Sequence, residues 1–452
     1  MLKLKKTSNS RRRREEAKLS SMSLAELLSY DHERREKKAR KKRNCLYWSE
    51  LPPDLIHSVL QRLSLRDLQR AKSICSAWLS ASRSCLPKSQ DPWLIIFPNN
   101  NEDDMNMNRC KLFNPEEKDK LYSISQDLGV GGVCVATYGC WLLMRNPLFN
   151  LYIVNLLTGQ RIDLPPVESQ RGKTKLERIV DDRFHATQLS GSSDQYYEAD
   201  SIGLEINSPG LWIDEEARDY LVIFSFKIPR WPFDTQCAVI CKKGDHSWRE
   251  FPDSSPCSDM VYKHHKLYVY RYGAIQIFDI SGDGLIPLKA PETDAVYVAP
   301  FSFDDFHHES CLGLCYFEKT SIVVTVSGHV LMVVSVVTLF ETWSFRIYKM
   351  CSCTKKWKRL LYLDGEAILL DLGVTVPAKD FEGINDNSIY FSGLGINDNS
   401  IYFSGLGQDD KEDDIFIFNL KGETMKRPHQ SVSSPLLCSC ARWFLPGFSY
   451  KY

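Results

Sequence analysis

From Asp91 onward the sequence consists of short apolar or alternating runs separated by turn residues, and this spacing confines the region to β structure. Asp91-Pro92-Trp93-Leu94-Ile95-Ile96-Phe97-Pro98 opens it as a short apolar strand closed by proline, and Asn99–Asn108 follows as an Asn/Asp-rich loop. Later strand candidates include Gly132–Thr137, Leu151–Leu156, Tyr220–Phe226, Ala238–Cys241, Lys266–Tyr270, Ala274–Ile280, Phe345–Met350 and Ile415–Asn419. The polar stretch Gln170–Gly203 reads as a loop. An aromatic content of 12%, with ten Trp, suits a β fold. The class expected is all-β, as a sandwich, barrel or propeller.

Weak repetition favours the propeller. His246-Ser247-Trp248-Arg249-Glu250-Phe251 is followed by Leu267-Tyr268-Val269-Tyr270 and Ile277-Phe278-Asp279; Lys355-Lys356-Trp357-Lys358-Arg359-Leu360 is followed by Tyr390-Phe391 and Ile417-Phe418-Asn419. Leu151-Tyr152-Ile153-Val154-Asn155 resembles the end of this phrase. One repeat is perfect: Ile384–Gly395 recurs unchanged as Ile396–Gly407. Such identity means a recent duplication or an error in the gene model, not an ancient blade repeat. The extra copy is expected in a loop or as a redundant edge strand.

Ile322–Phe340 is long enough to cross a bilayer. It is rich in Val, however, and interrupted by Ser327-Gly328-His329, which predicts two buried strands joined by a turn. No membrane association is expected.

Residues 45–86 differ in kind. Leu51-Pro52-Pro53-Asp54 supplies a helix start, with Pro tolerated in the first turn. Leu55, Ile56, Val59, Leu60 and Leu63 follow at helical spacing. Ser64 stands at an N-cap position with Asp67 three residues on, and Leu65, Leu68, Ala71, Ile74, Cys75 and Trp78 continue the apolar pattern. These are more apolar positions than one small core needs. Either a partner buries the excess, or the helices pack on the β region.

The 57 basic and 57 acidic residues give zero net charge but are unevenly placed. Residues 1–44 hold sixteen Lys or Arg against six Asp or Glu, including Arg11–Arg14 and Lys37–Arg43. This reads as a basic, disordered arm, either a nuclear-import signal, a nucleic-acid patch or a tail with no specific partner. Localisation is expected to be nuclear, cytoplasmic or both. The fifteen Cys are scattered, without a C-x-x-C pair, which suggests buried free thiols in a reducing compartment.

Signatures of catalysis are missing: no nucleophile elbow, Walker loop or zinc-protease helix occurs. The histidine clusters are His264-His265 and His307-His308-Glu309, read as surface or loop residues rather than ligands. Gly129-Val130-Gly131-Gly132 is not followed by a helix pattern, so a phosphate cradle is not expected. Neither metal nor cofactor is implied.

Trp48-Ser49-Glu50-Leu51-Pro52-Pro53-Asp54-Leu55-Ile56 together with Asp67-Leu68 and Cys75-Ser76-Ala77-Trp78 resembles an F-box, with Leu79 in place of a frequent basic residue. The remainder resembles the plant-specific, kelch-like domain of unknown function that follows many plant F-boxes. Lys243-Gly244-Asp245-His246-Ser247-Trp248, Phe381-Glu382-Gly383 and Arg442-Trp443-Phe444-Leu445-Pro446 carry that likeness. The resemblance implies domains at 45–86 and 91–452. It further implies that Leu51, Pro52, Ile56, Leu60 and Trp78 face the Skp-type adaptor of a cullin-RING ligase. Leu55, Val59, Leu63, Leu68, Ile74 and Cys75 belong to the same candidate surface. The expected role is a non-catalytic substrate receptor of an SCF-type ubiquitin ligase with an unknown target. The alternative is a ligase-independent nuclear scaffold or nucleic-acid binder using the basic arm.

Overall fold

The computed structural model describes residues 51–63, 65–82, 85, 92–97, 110–114, 121–123, 128–129, 131–189, 196–215, 217–228, 235–251, 257–271, 274–282, 286–287, 315–338, 343–351, 356–381, 383–392, 415–426 and 440–446. They fall into two compact units divided between Pro87 and Lys88. Among the described residues, the first holds three short helices, and the second is all-β apart from three single turns of 3-10 helix.

Sheets in the second unit follow one another as blades. The second blade, Val133–Tyr138, Trp141–Arg145, Leu151–Asn155 and Arg161–Asp163, is an antiparallel meander in sequence order. The third (Ile206–Asp214 to Arg249–Glu250) and fourth (Asp259–Lys263 to Ile286–Pro287) repeat this order. A nine-stranded sheet contains the fifth blade, Cys315–Val324 to Lys356–Leu360, and the sixth, Glu366–Leu369 to Thr424–Lys426, joined by one parallel pairing of Val324 with Val374. The first blade is composite. Trp93–Phe97, Lys111–Phe113 and Leu121–Ser123 are completed by Cys440–Phe444 from the far end of the chain, with Trp93 opposite Phe444. Six blades are thus formed among the described residues, and each touches the next around a closed ring.

Each core lies between two blades, so a strand is buried on both faces. Leu221 and Ile223 face the core shared with the fourth blade, while Val222 and Phe224 face that shared with the second. Leu331 and Val333 likewise point one way, and Met332 and Val334 the other. Two-sided burial explains why these strands read as continuous apolar runs rather than as alternating ones.

Within the stretch Ile322–Phe340, the described residues 322–338 form a hairpin, as expected. Val324 pairs with Val330, and Gly328 takes φ +80° in the turn, where its N–H donates to the Thr325 carbonyl at 2.9 Å. His264 and His265 are the two turn residues between paired Lys263 and Lys266, both at positive φ, which suits a tight hairpin.

The repeated phrase has a local cause. Its closing Asp or Asn ends a strand and accepts hydrogen bonds from the backbone beyond. Asn155 Oδ1 caps Leu157 and Thr158 at 2.9 Å, Asp279 Oδ1 caps Ser281 at 2.8 Å, and Asn419 Oδ1 caps Lys421 and Gly422 at 3.0 and 2.9 Å.

The reading of Gln170–Gly203 as a loop is corrected. Thr174–Val180, Arg183–Leu189 and Tyr196–Gly203 form a three-stranded antiparallel sheet. Its buried side is sparse: Thr174, Leu176, Phe184, Ala186 and Ile202 face inward, and charged residues occupy the positions between. The inner apolar residues join the core of the second and third blades. Glu250 accepts from Thr174 N at 2.8 Å and Thr174 Oγ1 at 3.2 Å, which fastens this sheet to the third blade.

The second copy of the perfect repeat, the basic arm, Ser64 and the His307 cluster lie outside the described residues. The first copy supplies the strand Ser388–Ser392, paired on both edges.

Candidate adaptor-docking surface

The helices of the first unit are α1 (Pro53–Leu60), α2 (Leu65–Ala71) and α3 (Ser76–Ser82). Pro53 starts α1 with a φ already suited to a helix, and the Pro52 carbonyl accepts from Leu55 N at 3.0 Å and Ile56 N at 3.1 Å. Asp54 lies in the first turn, where a carboxylate complements the helix dipole. Both α1 and α2 touch α3. Past α3, Cys85 Sγ lies 3.0 Å from His57 Nδ1, whose Nε2 lies 2.7 Å from Gln61 Nε2. Burial pushes the Cys85 thiol up, so it stays protonated and serves packing. The Arg70–Asp67 ion pair is exposed on both sides and contributes little.

The eleven candidate residues divide by burial. Ile56, Leu60, Leu68 and Trp78 are buried, at 4% exposure or less. Leu51, Leu63 and Cys75 are half-buried. Pro52 is exposed, as are Leu55 at 53%, Val59 at 37% and Ile74 at 56%. Leu79, noted in the sequence only for departing from a basic residue, is 41% exposed and joins this set. Leu55 and Val59 stand four residues apart, one above the other on a single face of α1. The helical period alone marked all these positions as apolar. It did not separate those that hold the helices together from those facing outward, because both stripes share the period.

A second candidate is a cavity of about 190 Å³ on the axis of the β ring. Asp259, Asp371, Lys319 and Arg442 line it, along with Ser208 at φ +47° in a bulge of the third blade's inner strand. Burial pushes the Asp259 carboxyl up, and Lys319 opposes this. Asp259 accepts from Met260 N at 2.9 Å and Ile322 N at 2.8 Å, so it ties the fourth blade to the fifth. The cavity is smaller than usual ligand sites of about 300–1,000 Å³. Asp259 is already committed to the Met260 and Ile322 amides.

No group of three metal-ligating side chains occurs among the described residues, and no described helix is long and apolar enough to cross a membrane. Burial pushes the Cys110, Cys241 and Cys257 thiols up to about 12, away from thiolate chemistry.

Comparison with known proteins accords with both units. Residues 48–90 match the F-box domain, and residues 112–419 match the KIB1-4 beta-propeller. Probable F-box protein At4g22060 of Arabidopsis thaliana is 41% identical over 409 residues, covering 89% of this chain and 97% of its own. Putative F-box protein At4g22180 of the same plant is 43% identical over 413 residues, covering 88% and 94%. Among solved structures, a putative 6-phosphogluconolactonase from Bacteroides uniformis aligns at a TM-score of 0.33 and 9% identity, over 78% of this chain and 100% of its own. That likeness is too weak to bear on function. The three-helix unit with its exposed apolar residues, the ring of blades and these matches agree: the chain belongs to the plant F-box proteins that carry a KIB1-4 beta-propeller.

Proposed function

We propose that this F-box protein is the substrate-recognition subunit of an SCF-type ubiquitin ligase. The helical unit binds a Skp-type adaptor, and the propeller captures a protein target. Catalysis is then by proximity: the receptor raises the effective concentration of the target near the ubiquitin carrier and does no covalent chemistry itself. The observation that carries this reading is the exposed apolar set Leu55, Val59, Ile74 and Leu79 within the F-box match. Exposed apolar residues concentrated on a small helical unit mark a surface that a partner covers. Buried Ile56, Leu60, Leu68 and Trp78 act at one remove, by holding the helices in place.

The test is co-purification of the full chain with a Skp-type adaptor. Wild type is expected to bind stoichiometrically. Leu55→Asp with Val59→Asp is expected to abolish binding while the propeller stays folded, since both side chains already face outward. Leu51→Ala with Pro52→Ala is expected to do the same, because Ala keeps the carbonyl that accepts from Leu55 and Ile56. Full binding by both variants overturns the reading.

A further inference from the structure

At the outer edge of the fifth blade lies a strand that ring closure does not use. Lys356–Leu360 ends its sheet, and among the described residues it pairs only with Trp343–Cys351. One side of its backbone ladder thus has no strand partner among the described residues. Alternation sends Trp357 and Arg359 to one face and Lys358 and Leu360 to the other. Trp357 packs on the core between the fourth and fifth blades, and Leu360 on that between the fifth and sixth, so both faces anchor the strand. Lys358 and Arg359 remain exposed. Lys358 stands directly opposite Lys349, a like-charge arrangement that destabilises a ladder. None of Lys349, Lys358 and Arg359 takes part in an ion pair among the described residues. Immediately after the strand, Leu361 and Tyr362 are 61% and 57% exposed.

Lysines on an edge strand commonly block unwanted pairing. That role accounts for the charge but not for two large apolar side chains left in solvent at the strand's end. We propose that this edge binds an extended acidic segment of a partner protein. The segment adds as a further strand beside Lys356–Leu360, sets neighbouring carboxylates against Lys358 on one face and Arg359 on the other, and places an apolar residue on Leu361 and Tyr362. A peptide is favoured over a nucleic acid because the open ladder presents backbone donors and acceptors at strand spacing, and another peptide backbone satisfies them. The proposal deepens the receptor reading by naming the chemistry of the captured segment, while the binding itself does not require the adaptor.

Fluorescence anisotropy of a labelled octapeptide with two adjacent Glu at its centre flanked by Leu, titrated with the full chain, tests it, because neighbouring residues of an added strand face opposite sides as Lys358 and Arg359 do. Binding is expected to weaken with salt and to fall roughly tenfold or more in Lys358→Glu/Arg359→Glu. The peptide with Gln in place of Glu is expected to bind that much more weakly too, and Leu361→Ser is expected to weaken binding without changing its salt dependence. The charge-reversed chain should melt no lower than wild type, since the Lys358→Glu change sets a carboxylate against Lys349 and replaces repulsion with attraction. It should also keep the adaptor, so loss of peptide with retained adaptor isolates this edge from the helical unit. Undiminished peptide binding by the charge-reversed chain, no binding of the acidic peptide by wild type, or tighter binding of an oligothymidylate of equal charge overturns the proposal.

Discussion

Single residues in the propeller act mostly where two blades meet. Trp248 is fully buried, donates from Nε1 to the Pro165 carbonyl at 2.8 Å and meets Phe224 edge-on at 4.9 Å between ring centroids. Gly373 takes φ +65°, and a side chain there would run into Val261 of the fourth blade. Lys263 is the most consequential charge. It is 3% exposed, and its Nζ donates to the Thr325 carbonyl at 2.7 Å, joining the fourth blade to the hairpin turn of the fifth. Burial pushes its ammonium down from 10.5 to about 8, with Glu366 acting against the shift. Between those two values the folded chain has released a proton that the unfolded chain still holds, so this group makes stability rise with pH across that window. Melting temperatures of wild type and Lys263→Met, compared from below pH 8 to above pH 10.5, should show wild type gaining on the variant as pH rises. A constant difference would count against a buried, charge-strained lysine.

At the scale of elements, the sequence was most legible where burial has a simple rhythm. The hairpin at Val324 and Val330, the strand Ile415–Asn419 and the terminal Asn155, Asp279 and Asn419 were all visible as apolar runs ended by turn formers. The sheet at 174–203 was not, because it buries a few residues on one face and bears Lys, Glu and Arg between them. A half-buried strand with that composition differs from a polar loop only in the alternation of Thr174, Leu176 and then Phe184, Ala186. Within the F-box the same rhythm marked apolar positions but left inner and outer stripes undivided. The sixth blade bears on the perfect repeat. Ser388–Ser392 already pairs with Glu366–Leu369 on one side and Ile415–Asn419 on the other. A second copy has no ladder left to fill at that place. Deleting Ile396–Gly407 is therefore expected to leave the melting temperature within a few degrees of wild type, and a steep fall would show that the second copy bears structure.

For the molecule as a whole, stability rests on one junction that no single blade supplies. Cys440–Phe444 completes the first blade beside Trp93–Phe97. Thr137 Oγ1 donates to the Trp443 carbonyl at 2.9 Å, and Trp443 Nε1 to the Phe391 carbonyl at 3.3 Å, so the closing strand is bonded to its neighbours on both sides. Both closing segments lie outside the matched residues 112–419, so this junction is seen in the topology rather than in the family match. Deleting residues 440–452 is expected to abolish the cooperative melting transition of the propeller and render it protease-sensitive. An intact transition would show that the ring does not depend on its last strand. Leu94 and its partner Trp443 are 349 positions apart. At a synthesis rate of about 5–20 residues per second, Leu94 is made roughly 20–70 s before its partner. Throughout that interval the nascent chain carries its F-box but not a finished propeller, and the edge of Trp93–Phe97 is open to any other strand in reach. A ribosome that stalls late on this message therefore leaves a product with its F-box but without a closed propeller, and its exposed edge makes that product a client for chaperones.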